Sequence, residues 1–208
     1  MLKHYYLKVW GIKMYKTFND GMIEVITGPM FSGKSEELLR RVRTLEYAKM
    51  LPLLIKPEYD NRFSDDEIVS RCGVRRKTHS LKNINEVYEL LKQDKYKAII
   101  IDEAHFFGNS LIEVADDLAN KGYLVIVAGL DQDYLRKPFG PIPALMAMAE
   151  RVTKLQAICV VCQHAASTSF RKDSSNEQNL IGDYNEYEAR CRKCHIMGQK
   201  QKELLKNK

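Results

Sequence analysis

The segment Gly28-Pro29-Met30-Phe31-Ser32-Gly33-Lys34-Ser35 constrains this chain more than any other stretch. It satisfies G-x-x-x-x-G-K-[ST] at every fixed position. It follows a short apolar, β-branched run, Met22 to Thr27, and it opens a helical pattern at Lys34. A strand, a glycine turn and a helix in that order make a cradle for a polyphosphate. The two glycines permit torsions that turn successive backbone N–H groups inward. The helix N-terminus aims partial positive charge at the phosphates. Lys34 reaches the β and γ oxygens, and the Ser35 hydroxyl ligates Mg²⁺. A bare glycine turn requires none of this context.

The rest of the pattern fits the same class. Leu51 to Ile55, Ala98 to Ile101, Leu124 to Ala128 and Leu155 to Val160 read as apolar strands. Between them, Lys34 to Met50, Asn85 to Lys92, Leu111 to Asn120 and Pro141 to Arg151 read as helices. In the first helix Leu38, Leu39, Val42 and Leu45 share a face, and Arg40, Arg41 and Arg43 lie largely on the other. Apolar strands alternating with helices predict an α/β fold, a mostly parallel sheet covered on both faces. Residues 59–80 are polar and read as an irregular loop with short structure. Residues 1–20 show no period and read as an N-terminal arm or an appended non-native segment. The expected division is 21–158 for the nucleotide-binding α/β unit, 159–195 for a small cysteine-bearing unit, and 196–208 for a basic tail.

Charge narrows the partners. The net charge is +6, but residues 190–208 carry seven basic side chains against one acidic, and residues 1–20 four against one. The body, 21–189, is therefore net acidic, which argues against a nucleic-acid groove on it. Apolar runs of about seven residues fall far short of the ~20 that a membrane helix needs. Met1 to Trp10 is too short and polar for a secretory leader, so a cytoplasmic, reducing setting is expected.

Ala98-Ile-Ile-Ile-Asp102-Glu103 places two carboxylates at a strand end. After a phosphate loop, an Asp there holds Mg²⁺ or its water. The adjacent Glu points elsewhere and is free to act as general base on a hydroxyl acceptor. The alternative is that both only cap the next turn. Asp102-Glu103-Ala104-His105 also spells the DEAH of a helicase family, but a helicase needs two nucleotide-fold lobes, and only about 140 residues lie between Met22 and Val160.

Four of the five cysteines form two C-x-x-C pairs, Cys159/Cys162 and Cys191/Cys194, with 28 residues between them. Two such pairs supply a tetrahedral thiolate set suited to Zn²⁺. Four thiolates leave no open position, so the zinc is structural and pins the base of a long loop. Redox pairs are the competing reading. His164 and His195 adjoin the pairs and read as surface residues, with substitute metal ligands as the alternative, and Cys72 reads as a structural or incidental thiol.

Taken together, these motifs resemble the type II thymidine kinases, the zinc-containing deoxynucleoside kinase family. The resemblance rests on the phosphate loop, Lys56-Pro57 with Asp60 and Arg62, Asp102-Glu103-x-x-Phe106-Phe107, Gly129-Leu-Asp131, Lys137-Pro-Phe-Gly-Pro141, both Cys pairs and Tyr187. It implies a RecA-like phosphate-loop NTPase fold with a zinc ribbon and a lasso loop. It implies transfer of the ATP γ-phosphoryl to the 5′-hydroxyl of thymidine or deoxyuridine, with Glu103 as base and Lys34 and Arg62 assisting. Asp60, Arg62, Asp102, Glu103, Ala104 and His105 then complete the ATP and Mg²⁺ side. Met30, Phe106, Leu130, Tyr134, Ser169 and Tyr187 line the nucleoside pocket. Arg171 resembles the family's loop arginine near the phosphates, and the lasso residues Gln178, Asn179, Leu180, Ile181 and Gly182 grip the pyrimidine. The resemblance further implies a homotetramer inhibited by thymidine triphosphate. The chain departs from the family at His105, where Gln is usual, at Tyr134, where Phe is usual, and at Asp183, where a second Gly is common. A small apolar pocket gains only ~1–3 kcal/mol from the 5-methyl group, so deoxyuridine should remain a substrate.

Two other readings compete. A polynucleotide-stimulated ATPase with a zinc ribbon on DNA or RNA would show strong salt dependence, and the acidic body speaks against it. A catalytically silent zinc-ribbon module would not need an intact phosphate loop.

Overall fold

The computed structural model describes residues 21–58, 67–69, 75–93, 95–172 and 185–206. In chain order the elements are β1 (Met22–Thr27), α1 (Lys34–Tyr47), β2 (Pro52–Pro57), β3 (Glu67–Val69), β4 (Arg75–Lys77), β5 (His79–Leu81), α2 (Val87–Leu91), β6 (Ala98–Ile101), α3 (Ser110–Asn120), β7 (Leu124–Gly129), α4 (Ile142–Met148), β8 (Arg151–Lys154), β9 (Ala157–Ile158), β10 (Ala165–Ala166), β11 (Thr168–Arg171), β12 (Tyr187–Arg190) and α5 (Arg192–Lys206). Six strands form one sheet in the order β5-β2-β6-β7-β1-β8. Every pairing in it is parallel.

The period-2 alternation of strand side chains sorts the core into two layers. Ile23, Val25, Ile99, Ile101, Val125 and Val127 face α3 and α4. Met22, Ile26, Leu54, Ile100, Ile126 and Ala128 face Leu38, Leu39, Val42 and Leu45 of α1. Helices therefore cover both faces, as the apolar strands predicted. Each fully buried Leu or Ile contributes ~1.5–3 kcal/mol relative to exposure.

Several sequence expectations are corrected. Helix α1 stops at Tyr47, not Met50: Lys49 turns left-handed at φ 58°, and Met50 N–H bonds back to the Leu45 carbonyl. Arg41 does not face water. It is buried, 3.4 Å from the buried Glu24 of β1 and 2.8 Å from Glu37, and Arg151 approaches Glu24 at 2.9 Å. β2 runs Pro52–Pro57, shifted by one to two residues from the expected strand. Within 59–80 lie an antiparallel β3–β4 hairpin and β5, which extends the main sheet beside β2. The helix expected over Pro141–Arg151 ends at Met148, where Ala149 becomes extended, and Arg151–Lys154 is the edge strand. The strand expected over Leu155–Val160 is only Ala157–Ile158 and pairs with β10, away from the main sheet. Residues 196–206, read as a tail, continue the helix that starts at Arg192. No helix among the described residues is long and apolar enough to cross a membrane.

Candidate active site

β6, β7 and β1 are neighbours and run the same way, so their C-terminal ends open on one edge. The phosphate loop leaves β1, Leu130-Asp131 leaves β7 and Asp102-Glu103 leaves β6 at this edge. Ligands of open α/β sheets bind outside such strand ends.

The loop is built from backbone constraints. Gly28 has φ 145°, and a Cβ there would lie 2.5 Å from the Leu155 carbonyl oxygen. No side chain fits. Gly33 adopts φ 83° and caps α1, where the first turn carries Glu36 and Glu37. The Pro29 carbonyl accepts from Ser32 Oγ and from Lys34 Nζ, each at 2.8 Å, which folds the lysine into its own loop. Phe31 holds φ 67°, a conformation that costs a non-glycine residue ~1–3 kcal/mol. Its ring packs against the cysteine cluster, which supports it there. Met30 N–H donates to Ser169 Oγ at 3.0 Å, so the loop is tied to β11 as well.

Beside the loop, Thr27 Oγ1 donates to the Gly129 carbonyl at 2.9 Å and to Asp131 Oδ1 at 3.2 Å. Lys154 Nζ sits 2.6 Å from Asp131 Oδ2. Sequence reasoning assigned Thr27 and Lys154 nothing, though the position of Thr27 just before Gly28 was a usable signal. Asp102 is buried and its Oδ1 accepts from the Glu103 N–H at 2.9 Å. Glu103 adopts a left-handed φ of 47°, and its side chain is 22% exposed where Asp102 is buried. Ala104 and His105 are buried; they lie behind Glu103 and not on an open surface.

The expected nucleoside residues fall into three groups. Met30 and Ser169 meet as described. Tyr134, Arg171 and Tyr187 form the second: the buried Arg171 guanidinium lies 3.9 Å over the Tyr134 ring and donates to Tyr187 Oη at 2.6 and 3.1 Å. Arg171 is on a strand, not a loop. Phe106 and Leu130 form the third, around His105. Asp60, Arg62, Cys72, the lasso residues Gln178 to Gly182, and Asp183 lie outside the described residues.

The four cysteine sulfurs lie within 4.8 Å of one another, and Cys162 and Cys191 are 3.6 Å apart. Tetrahedral zinc with Zn–S near 2.3 Å places its sulfurs about 3.8 Å apart, so the set fits Zn²⁺. The thiols do not ionise independently. Burial opposes ionisation of Cys159, but backbone N–H donors from Cys191, Cys162 and Val161 outweigh it and bring the thiol down to about 6. Cys194 is pushed up to about 12 by its side-chain contact with Cys191 and by burial. A divalent cation relieves this conflict by binding all four as thiolates. All four are free thiols.

His195 corrects its surface reading: it is buried, and its Nε2–H donates to the Tyr134 carbonyl at 2.9 Å. Burial holds its pKa below the ordinary value. Gln199 Nε2 reaches the same carbonyl at 3.4 Å, and Lys202 Nζ donates to the Arg171 carbonyl. Helix α5 thus grips two of the expected nucleoside residues from behind. His164 is exposed, with Nδ1–H on the Cys162 carbonyl.

Comparison with known proteins now adds to this geometry. The thymidine kinase family model matches residues 21–195. A thymidine kinase of Metamycoplasma arthritidis is 77% identical over 189 residues, covering 91% of this chain and 97% of that protein. One from Mesomycoplasma hyopneumoniae strain 7448 is 55% identical over 184 residues, 88% of this chain and 100% of that protein. One from Mycoplasma mobile is 47% identical over 194 residues, 93% and 96%.

Proposed function

Because this chain belongs to the thymidine kinase family, we propose that it transfers the γ-phosphoryl of ATP to the 5′-hydroxyl of thymidine and, more weakly discriminated, deoxyuridine. It is a phosphotransferase, and the observation that carries the mechanism is the shared strand-end edge. The phosphate cradle and Glu103 both leave it, Ser169 of β11 accepts from Met30 N–H of the cradle, and β12 pairs Tyr187 with Arg171 of β11. Glu103 takes the hydroxyl proton as the oxygen bonds to the γ-phosphorus and the bond to ADP breaks. Lys34, which now donates to Pro29, swings to the γ-phosphoryl and follows its charge into the transition state. Ser35 and Asp102 would hold Mg²⁺, which supplies charge neutralisation at the phosphates. Arg62 and Asp60 belong to the proposal through the family motif.

The four cysteines would hold a structural zinc that closes the segment 163–190, within which β11 pairs with β12. The lasso, between those two strands, would grip the pyrimidine, with Tyr134, Arg171 and Tyr187 beneath it. Free thiols fit a reducing, cytoplasmic setting. Tetrameric assembly and inhibition by thymidine triphosphate follow from the family resemblance and complete the proposal. A radiolabelled-ATP transfer assay against a panel of nucleosides, run with zinc analysis, tests it. Thymidine and deoxyuridine should be labelled on the 5′-oxygen. Failure to label any pyrimidine deoxyriboside with zinc and magnesium present would contradict it.

A further inference from the structure

We infer that His105 is a positioning residue for the Glu103 carboxylate, an inference that rests on Glu103 being the base proposed above. The ring is 1% exposed and lies between Phe106, at 4.2 Å, and Phe139, at 5.0 Å. On one side the Leu130 backbone N–H donates to Nδ1 at 3.3 Å. A backbone amide can only donate, so Nδ1 is the acceptor and the neutral ring carries its proton on Nε2. Nε2 lies 3.6 Å from Glu103 Oε2. That is longer than a hydrogen bond, as contacts around a base often are before substrate tightens them.

The ring has little room to shift. A Cβ on Gly140 would lie 2.7 Å from the His105 carbonyl oxygen, and one on Gly129 would lie 3.2 Å from Nδ1. The end of β7 therefore closes on the ring, and the loop after Phe139 closes on the His105 backbone that carries it. The result is a continuous line from the Leu130 amide through one imidazole to the base. Leu130 is also one of the proposed nucleoside residues, so the backbone beside the substrate and the group that deprotonates it share one support. Protonating Nδ1 would set two N–H groups against each other. The ring therefore acts as a donor and not as a relay: the proton that Glu103 takes stays on its carboxyl until water accepts it.

Three variants test this by kcat and by KM for thymidine and ATP. His105→Asn retains an acceptor for Leu130 but stops short of Glu103, whereas His105→Gln reaches it with an N–H donor. His105→Asn should lower kcat about 10- to 100-fold, the range for losing a hydrogen bond to a charged group, with both KM values within about twofold. His105→Gln should return kcat to within about threefold of the parent. If His105→Asn does not fold by circular dichroism, His105→Gln alone decides, with a loss above about tenfold overturning the inference. A parental kcat in His105→Asn overturns it. So does a fall in kcat matched by rising KM values that His105→Gln fails to repair. Glu103→Gln separates the two levels. If it is inactive while His105→Asn is normal, only the positioning role falls. If it turns over normally, the base assignment falls and the positioning role with it.

Discussion

The phosphate loop is held by backbone torsions at the end of a deeply packed sheet, whereas the cysteine module has only a small apolar core. Twelve fully buried or nearly buried residues back the loop on the α1 side alone. The module offers the cluster Ala157, Cys159, Ala166, Ala189 and Cys194, with Phe170 and Tyr187 buried on its strands. Its three alanines bury little area each, so burial alone contributes far less here to the cost of ordering strands. The difference teaches that the proposed nucleotide half of the site is preorganised by the fold, while the proposed nucleoside half would depend on what joins the four sulfurs. The two halves meet through Phe31 on the cysteine cluster and Ser169 on Met30.

Removing zinc with a chelator should have the largest effect. A structural zinc site is worth ~10–16 kcal/mol of folding free energy in small zinc modules. Thymidine phosphorylation should vanish while equilibrium dialysis still shows ATP bound. Equal loss of ATP binding would erase the distinction between the halves.

Leu39→Ala acts on the other side of it. Leu39 is buried on the sheet-facing side of α1, and such a truncation costs ~2–5 kcal/mol. Thermal denaturation should drop markedly while zinc content stays at the parental level.

Tyr187→Phe is smaller and local. It deletes the hydroxyl that accepts from the buried Arg171, a loss of ~1–3 kcal/mol. KM for thymidine should rise about tenfold with KM for ATP unchanged. A rise in both would show the halves to be more tightly coupled than the contacts indicate.

The smallest effect concerns acid stability of α1. Hydrogen bonding from Arg40, with Arg41 adding its charge against the cost of burial, holds the Glu37 carboxyl below its ordinary 4.5. A carboxylate depressed by folding stabilises the protein above its unfolded pKa and loses that contribution as pH falls through the folded value. Melting temperatures measured from pH 7 down to 3 should therefore fall less steeply below 4.5 in Glu37→Gln than in the parent.

The sheet and the cradle were legible because their information is local: apolar runs, glycine spacing and a lysine. Arg41 was misread because helical period alone cannot see Glu24, a carboxylate buried on a strand from a different part of the chain. His195 was misread because its neighbours in sequence are polar, while its burial comes from the turn carrying Tyr134. β5 escaped notice because three residues beginning with an exposed histidine carry no pattern, and only pairing with β2 makes them a strand. Of the site, the resemblance named Tyr134 and Arg171, but their support by α5 depends on contacts thirty to sixty residues apart and leaves no spacing to read.

The central claim is that Glu103 supplies the base at the edge shared with the phosphate cradle. The direct measurement is the rate of labelled phosphoryl transfer from ATP to thymidine by Glu103→Gln, with binding of both substrates measured on the same preparation. The account predicts substrate affinities near the parent and turnover lower by ~10²–10⁴. Turnover within a few-fold of the parent, with both substrates bound, would contradict it.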